Sequence, residues 1–66
     1  MNAALPTTHQ ALTVPEVMTA LRLSRWTVYE LIRSRQLPSF TVGRARRVPA
    51  DAVQRFMNAQ IEETAA

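Results

Sequence analysis

The sequence predicts a small, mainly α-helical domain that carries one short β ribbon. Two short stretches with apolar residues at helical spacing stand close together in the first half of the chain. A run that alternates apolar and polar residues follows them and contains the single glycine. A third stretch of helical spacing comes after that run. Sixty-six residues suffice for one hydrophobic core, so these elements must share it.

The first predicted helix begins after Thr13. The Thr13 hydroxyl can cap the helix, Pro15 fits its first turn, and Glu16 stands where a capping box requires an acid. The apolar stripe of this helix consists of Val14, Val17, Met18 and Leu21. Their i, i+3, i+4 and i+7 spacing predicts that the stripe faces the core.

The second predicted helix begins after Ser24, which can act as its N-cap, and ends at Leu37-Pro38. Arg22-Leu23 leaves only a tight turn between the two helices, which is the spacing of a helix-turn-helix. The inner face of the second helix consists of Val28, Leu31, Ile32 and the stem of Arg35. The outer face consists of Trp26, Glu30 and Arg33, with Arg25 and Tyr29 beside them.

Aromatic residues and arginines are interleaved on this outer face. An ordinary solvated face would carry lysine, glutamate and glutamine, whereas exposed Trp26 and Tyr29 beside arginines suit a polyanion or a protein surface. In the alternative interpretation, Trp26 folds over the first helix or the ribbon, and Tyr29 packs at the edge of the core.

The ribbon is predicted to be a two-stranded hairpin. Residues 40–42 form the outgoing strand, Gly43-Arg44 the turn, and residues 45–48 the returning strand, which Pro49 breaks. Glycine at the first central position is the requirement of a type II′ turn. A ribbon of this size must pack on the helices, and the residues expected to point inward are Phe40, Val42 and Val48.

The tip of the ribbon carries Arg44, Arg46 and Arg47. These guanidinium groups are predicted to reach a phosphate backbone or a minor groove, the alternative being a merely solvated turn.

The third predicted helix begins near Asp51, whose carboxylate offsets the positive end of the helix dipole. Its apolar residues are Val53, Phe56, Met57 and Ile61. The helix is expected to run to about Glu63 and to close the core beneath the ribbon, with a last turn that is free to fray or to bind a partner.

The predicted domain therefore spans residues 12–63, preceded by a disordered arm at residues 1–11 and followed by a frayed C-terminus at residues 64–66. A groove-entering arm is the alternative for residues 1–11, although they contain neither arginine nor lysine.

The basic residues favour an anionic partner. All eight are arginine, the net charge is +3, and they lie between Arg22 and Arg55, away from Glu62 and Glu63. Guanidinium groups make planar, bidentate contacts to phosphate and guanine, so the distribution indicates an electrostatic footprint for nucleic acid. A GC-rich genome would also favour arginine over lysine, and this alternative stays open.

Several functional classes find no support in the chain. There is no cysteine, and the single His9 lies in a polar segment, so no metal and no cofactor are predicted. Glu62 and Glu63 are adjacent and would point about 100° apart on a helix, so they cannot flank one substrate. No apolar run approaches the length of a membrane span, and no signal-peptide pattern is seen. We therefore expect a non-enzymatic, cytoplasmic protein that is not associated with a membrane.

A helix beside an arginine-tipped ribbon predicts binding to double-stranded DNA. The second helix would place its N-terminal residues on base edges while the ribbon straddles the neighbouring backbone. Arg25 is the candidate for a guanine contact, Thr27 for a phosphate, and Tyr29 and Arg33 for either phosphate or base. One such module covers a short site, so specificity would need several copies or a partner.

From Leu12 to about Met57, the chain resembles the excisionase family of small winged helix-turn-helix proteins, which is related to the DNA-binding domain of MerR-type regulators. The run LSRWTVYELIRSRQLP, followed by VGRARRV, carries the resemblance, which covers about two-thirds of the chain. The implied fold is mainly α with a small two-stranded β wing. The chain departs from the family at Arg35, where relatives commonly have glycine and where a left-handed residue would be mildly strained, and at Trp26, which replaces a smaller or basic residue.

The resemblance implies an architectural DNA-binding factor. Such a protein binds direct repeats beside the attachment site of a phage or mobile element, usually as several protomers, bends the DNA and steers a site-specific integrase toward excision, with no chemistry of its own. By position, the implied DNA-binding residues are Ser24, Arg25, Trp26, Thr27, Tyr29 and Arg33 in the recognition helix and Arg44, Arg46 and Arg47 in the wing.

Two other functions stay open. The same domain also serves AlpA-like activators and other small regulators, which would make the same DNA contacts. A protein-interaction module is the third hypothesis, in which the aromatics and arginines meet an acidic partner. Repeated sites near an attachment core favour the first hypothesis, a divergent promoter favours the second, and loss of all DNA binding in low salt would favour the third.

Overall fold

The computed structural model describes residues 10–65, which form three helices and a small antiparallel sheet. In chain order the elements are β1 (Ala11–Leu12), α1 (Val14–Leu21), α2 (Arg25–Arg33), β2 (Phe40–Val42), β3 (Ala45–Pro49) and α3 (Ala50–Ala65). The predicted class, mainly helical with a β wing, is confirmed. Most of the predicted N-terminal arm lies outside the described residues.

The sheet contains one strand more than the predicted ribbon. Its order is β1-β3-β2, and β1 pairs Ala11 with Pro49 and Leu12 with Val48. The backbone N–H of Ala50 also donates to the carbonyl of Gln10 at 2.8 Å. The ordered chain therefore includes Gln10 and Ala11, which we had expected in the arm. A strand of two residues is too short to show any alternation, so its pairing with β3 was not visible in the sequence.

Local capping shapes α1 as predicted. The N–H of Thr13 donates to Glu16 Oε1 at 2.8 Å, and the N–H of Glu16 donates to Thr13 Oγ1 at 3.2 Å, which completes the capping box. The helix ends at Arg22, whose φ of 57° is left-handed. The N–H of Leu23 then donates to the Met18 carbonyl at 3.1 Å. This closed turn brings the chain to α2 within a few residues, so the helix-turn-helix geometry is local in origin.

The second helix starts where predicted but ends earlier. Ser24 Oγ accepts from the N–H of Thr27 at 3.2 Å, which confirms the N-cap. The helix stops at Arg33 rather than at Leu37 because Arg35 has a φ of 65°, in the left-handed region. The N–H groups of Gln36 and Leu37 then both donate to one carbonyl, that of Leu31, at 3.0 and 3.1 Å.

The left-handed turn at Arg35 directs Leu37 into the interior, where its side chain is fully buried. A non-glycine residue in this conformation costs about 1–2 kcal/mol, and burial of a leucine side chain offsets that cost by roughly 1.5–3 kcal/mol. The mild strain expected at Arg35 is therefore present, and packing of Leu37 in the core maintains it.

The wing has the predicted turn but not the predicted inner face. Gly43 has a φ of 60°, and Arg44 is not among the described residues with positive φ, which is the type II′ pattern. Val48 is fully buried, whereas Phe40 is 42% and Val42 is 68% exposed, so two of the three inward assignments were wrong.

The register of the strands explains this correction. Phe40 is paired with Arg47, and Val42 with Ala45, so these pairs lie on the opposite face of the sheet from Val48. The inner face is instead formed by the alternate residues of β3, which include Val48, and by their partners on the neighbouring strands.

The hydrophobic core lies where the three helices meet the inner face of β3. Its buried residues are Val14, Val17, Val28, Leu37, Val48 and Val53. β3 contacts β1, β2, α1 and α3, so it is the central platform of the molecule. Phe56 and Met57 of α3 pack against this core, but Ile61 is 65% exposed. The helix runs to Ala65, beyond the predicted end at Glu63, so residues 64 and 65, which we expected to fray, are helical.

Candidate nucleic-acid interface

The exposed face of α2 presents the residues predicted to read DNA. Arg25 is exposed in the first turn, and Trp26 is 70% exposed and lies outside the core cluster. The alternative in which Trp26 folds over α1 or the wing is therefore wrong. Tyr29 is half-buried and packs against the core, so the alternative holds in part for this residue. An indole left in water beside an arginine offers a flat apolar surface to a partner.

The hydroxyls at the start of α2 form a small network. Ser24 Oγ lies 3.0 Å from Thr27 Oγ1 in addition to accepting from the N–H of Thr27. Both residues are thus held in place by the cap, at the positive end of the helix dipole. Because a helix N-terminus favours anionic groups, this end of α2 suits the approach of a DNA backbone.

Arg33 has an ion-pair partner that was not predicted from the sequence. It forms an ion pair with Glu30, one turn earlier on α2, and both side chains are largely solvent-exposed. Such an exposed pair contributes little to stability. Its more important effect is electrostatic, because the carboxylate partly cancels the charge that Arg33 would present to a phosphate.

The three wing arginines do not form one patch. Arg44 is exposed at the turn. Arg46 donates to Ser39 Oγ at 2.7 Å, and Arg47 donates to the Arg46 carbonyl at 2.9 Å. Since adjacent residues of a strand point to opposite faces, Arg46 lies on the face of Val48, and Arg47 lies on the outer face with Phe40.

An open cleft of about 610 Å³ lies between the C-terminal end of α2 and the wing. Its polar lining residues are Arg33, Arg35, Ser39 and Arg46. Arg35 was assigned only a stem on the inner face of α2, but it is exposed and borders this cleft. Sequence reasoning missed its position because α2 was extended to Leu37, and a helical wheel does not apply to a left-handed residue.

The charges of the described residues are distributed unevenly. Of the eight arginines, only Arg33 and Arg55 pair with a carboxylate in the part of the chain that the structure describes, and Arg55 lies 2.8 Å from Asp51 on α3. Glu62 and Glu63 lie near the far end of α3. The result is a basic surface formed by α2 and the wing, and at its edge Arg35 shares a second, smaller depression with Glu63 of α3.

Two kinds of site, a metal-ligand cluster and a membrane-spanning helix, are not found in the part of the chain that the structure describes. Within residues 10–65, no group of three or more histidine, cysteine, aspartate or glutamate side chains is arranged to hold a metal ion. No helix there has the length and apolar character to cross a membrane.

A capped helix-turn-helix, followed by a β hairpin that places arginines beside the second helix, defines a small winged helix-turn-helix protein of the DNA-binding class. Comparison with known families agrees with this class, since the helix-turn-helix domain family matches residues 11–61. An excisionase of Streptomyces ambofaciens is 52% identical over 56 residues, which cover 85% of this chain and 90% of that protein. The chain thus belongs to the excisionase family of helix-turn-helix proteins.

Two further relatives come from Mycobacterium tuberculosis, strains CDC 1551 / Oshkosh and ATCC 25618 / H37Rv, and their names describe them as DNA-binding. Each is 50% identical over 44 residues, covering 67% of this chain but only 56% of the relative. No solved structure matches the chain significantly.

Proposed function

We propose that this protein is a recombination directionality factor. It binds direct repeats beside the attachment site of a phage or mobile element, bends the DNA and directs a separate integrase toward excision. The observation that carries the proposal is that α2 exposes Arg25 and Trp26 on its outer face while Arg46 of the wing borders a cleft at the C-terminal end of the same helix. The high identity to an excisionase over nearly its whole length supports the same role.

In the proposed complex, the N-terminal half of α2 enters the major groove. Arg25 makes a bidentate contact to guanine, and the indole of Trp26 packs on sugar or a thymine methyl group. Ser24 and Thr27, at the cap, approach a backbone phosphate together with the Tyr29 hydroxyl.

The wing adds contacts that do not depend on sequence. Arg44 at the turn and Arg47 on the outer face reach phosphates of the flanking backbone, and Arg46 lies closer to α2. Such contacts orient the protein on the duplex, while selectivity comes from the helix. This division predicts separable effects on affinity and on selectivity.

A single domain with one recognition helix covers a short site, so several copies are proposed to bind neighbouring repeats. The integrase supplies all the covalent steps of recombination, and the protein itself acts without a cofactor. Because its substrate is the DNA of a bacterial element, its proposed place of action is the nucleoid in the cytoplasm.

A small transcriptional regulator is the second candidate. The mycobacterial relatives are named for DNA binding, which fits this function as well as the first. Both functions use the same interface, so only the location of the sites and the effect on recombination separate them.

The test combines a footprint with an excision assay. Nuclease protection over the attachment region of the element should show repeated protected segments, and addition of the protein to its integrase should increase the excised product and reduce integration. Protection confined to a promoter, with no change in the direction of recombination, would assign the regulator instead. Absence of binding to any duplex in low salt would reject both functions and favour a protein-interaction module.

A further inference from the structure

We propose that the cleft between the C-terminal end of α2 and β3 binds one phosphate of the DNA backbone, with Arg35 as its main ligand and Ser39 as the residue that positions Arg46. The inference rests on the proposed DNA-binding function, because the ligand belongs to a duplex held by α2. It adds a specific anchoring site and two residues, Arg35 and Ser39, that the recognition helix and the wing tip do not include.

The charge of the cleft points to an anion. Three arginines line one open space, and no acidic residue is among its lining residues. The guanidinium of Arg35 has no hydrogen-bond or ion-pair partner among residues 10–65. Arg33 is paired with Glu30. Arg35 and Arg46, however, have no carboxylate partner among residues 10–65 and repel one another, so a bound phosphate would relieve the repulsion and receive bidentate hydrogen bonds.

Arg46 is held in position before any ligand arrives. Its guanidinium donates to Ser39 Oγ at 2.7 Å, and the contact is partly buried. This hydrogen bond uses one nitrogen and restricts the rotamers of a long side chain, so less entropy is lost when the remaining N–H groups bind a phosphate. Ser39 therefore acts through Arg46 rather than by charge of its own.

The backbone at Arg35 supplies an independent observation. Its φ of 65° is a conformation that glycine adopts without strain and arginine does not. Buried Leu37 and the two hydrogen bonds to the Leu31 carbonyl hold the turn in place, so the direction of the Arg35 Cα–Cβ bond is set by the core.

The cleft lies where a backbone would pass. Arg33 borders it and also belongs to the outer face of α2, close to Trp26 on the helical wheel. A duplex that receives the N-terminal half of α2 in its major groove would bring a flanking phosphate to the opposite end of the helix.

The experiment compares two matched variants of the full chain, Arg35→Gly and Arg22→Gly. Both arginines are exposed and left-handed, with φ values of 65° and 57°, so each change removes one charge and the same kind of strain. Arg22 lies in the turn between α1 and α2 and borders a different depression, beside Pro15 and Met18. Binding of a labelled random-sequence duplex is measured by fluorescence anisotropy over a series of salt concentrations.

The expected result is that Arg35→Gly reduces the slope of log affinity against log salt by about 0.9, the contribution of one neutralised phosphate, whereas Arg22→Gly leaves the slope unchanged. Ser39→Ala should reduce affinity for the same duplex, and Ser39→Thr, which keeps the hydroxyl, should restore it. An unchanged slope for Arg35→Gly, or an equal reduction for both glycine variants, would overturn the proposal. If the wild-type protein bound no duplex in low salt, the proposed function itself would fail, which is a distinct outcome.

Inorganic phosphate distinguishes a backbone ligand from a free anion. In nitrogen-15 spectra of the arginine side chains, the duplex should shift the Arg35 Nε–H signal at stoichiometric amounts. Inorganic phosphate at the same ionic strength should shift it only weakly. Saturation by low concentrations of inorganic phosphate would show a free-anion site and overturn the assignment to DNA.

Discussion

Arg25 and Arg46 differ in what surrounds them, and this difference determines what each can contribute to recognition. Arg25 is exposed in the first turn of α2, beside Trp26, whereas Arg46 is half-buried and held by Ser39. An exposed guanidinium at the N-terminal end of a recognition helix can reach a base edge. A guanidinium that a neighbouring side chain holds in place on the wing is suited to contact one fixed phosphate of the backbone.

We therefore expect Arg25→Ala to lose about 1–3 kcal/mol of binding free energy for the specific site and to discriminate less between specific and random duplexes. Arg46→Ala should weaken binding to both duplexes alike and flatten the salt slope by about one unit. Titration of both duplexes by anisotropy measures the two effects. Arg55→Ala, which removes a charge already paired with Asp51 on α3, is the control. Identical behaviour of the first two variants would contradict the division between helix and wing.

The ion pair between Glu30 and Arg33 leads to a second prediction at this scale. Glu30→Gln removes the negative charge from the outer face of α2 and releases Arg33, so affinity for a random duplex should increase and its salt slope should steepen by up to about 0.9. The thermal unfolding temperature should change little, because an exposed i,i+3 pair contributes only about 0.2–0.5 kcal/mol. Weaker binding by this variant would mean that Glu30 itself contacts the DNA, for instance as an acceptor from a base.

At the scale of single elements, helix capping contributes more to stability than surface charge does. α1 has eight residues, which is too short for a stable isolated helix, so its start depends on the reciprocal hydrogen bonds of Thr13 and Glu16. The same dependence holds at Ser24 for α2.

Thr13→Ala should reduce the free energy of unfolding by about 0.5–2 kcal/mol, because it leaves a helix N–H without its acceptor. Thr19→Ala is a matched control, since Thr19 is exposed within α1 and makes no cap, and alanine has the higher helix propensity. Thermal unfolding followed by circular dichroism measures both variants. Equal destabilisation of the two would show that the capping box contributes nothing specific.

The same scale shows where prediction from the sequence succeeded. The starts of α1 and α2 and the type II′ turn at Gly43 were predicted because each is formed by residues a few positions apart. The end of α2 was misplaced because apolar spacing continues to Leu37, while the left-handed residue before it interrupts the helix. Periodicity alone does not detect such an interruption.

At the scale of the whole molecule, one small core joins the three helices and β3. The buried side chains come from α1, α2, the turn after α2, β3 and α3, and no buried side-chain nitrogen or oxygen within residues 10–65 lacks a hydrogen-bond partner. Leu37 is the largest of the fully buried side chains and belongs to the turn that shapes the arginine cleft. Stability and the geometry of the interface therefore depend on the same packing.

Leu37→Ala should cost about 2–5 kcal/mol, a large share of the stability of a domain in which each residue contributes roughly 0.1 kcal/mol. We expect loss of cooperative unfolding near room temperature, measured by urea titration, together with loss of DNA binding. Ile61→Ala, at an exposed position of α3, should leave both unchanged. A stable, fully folded Leu37→Ala protein would show that the turn after α2 is not held by the core.

The sequence by itself determined the number of helices, the N-caps of α1 and α2, the hairpin turn and the arginine-rich character of α2 and the wing. These features depend on composition or on contacts between near neighbours in the chain. Only the tertiary structure decided that β1 pairs with β3, that Phe40 and Val42 point outward, and that Arg33, Arg35 and Arg46 meet around one cleft. Each of these depends on strand register or on packing between residues distant in sequence, which local patterns do not specify.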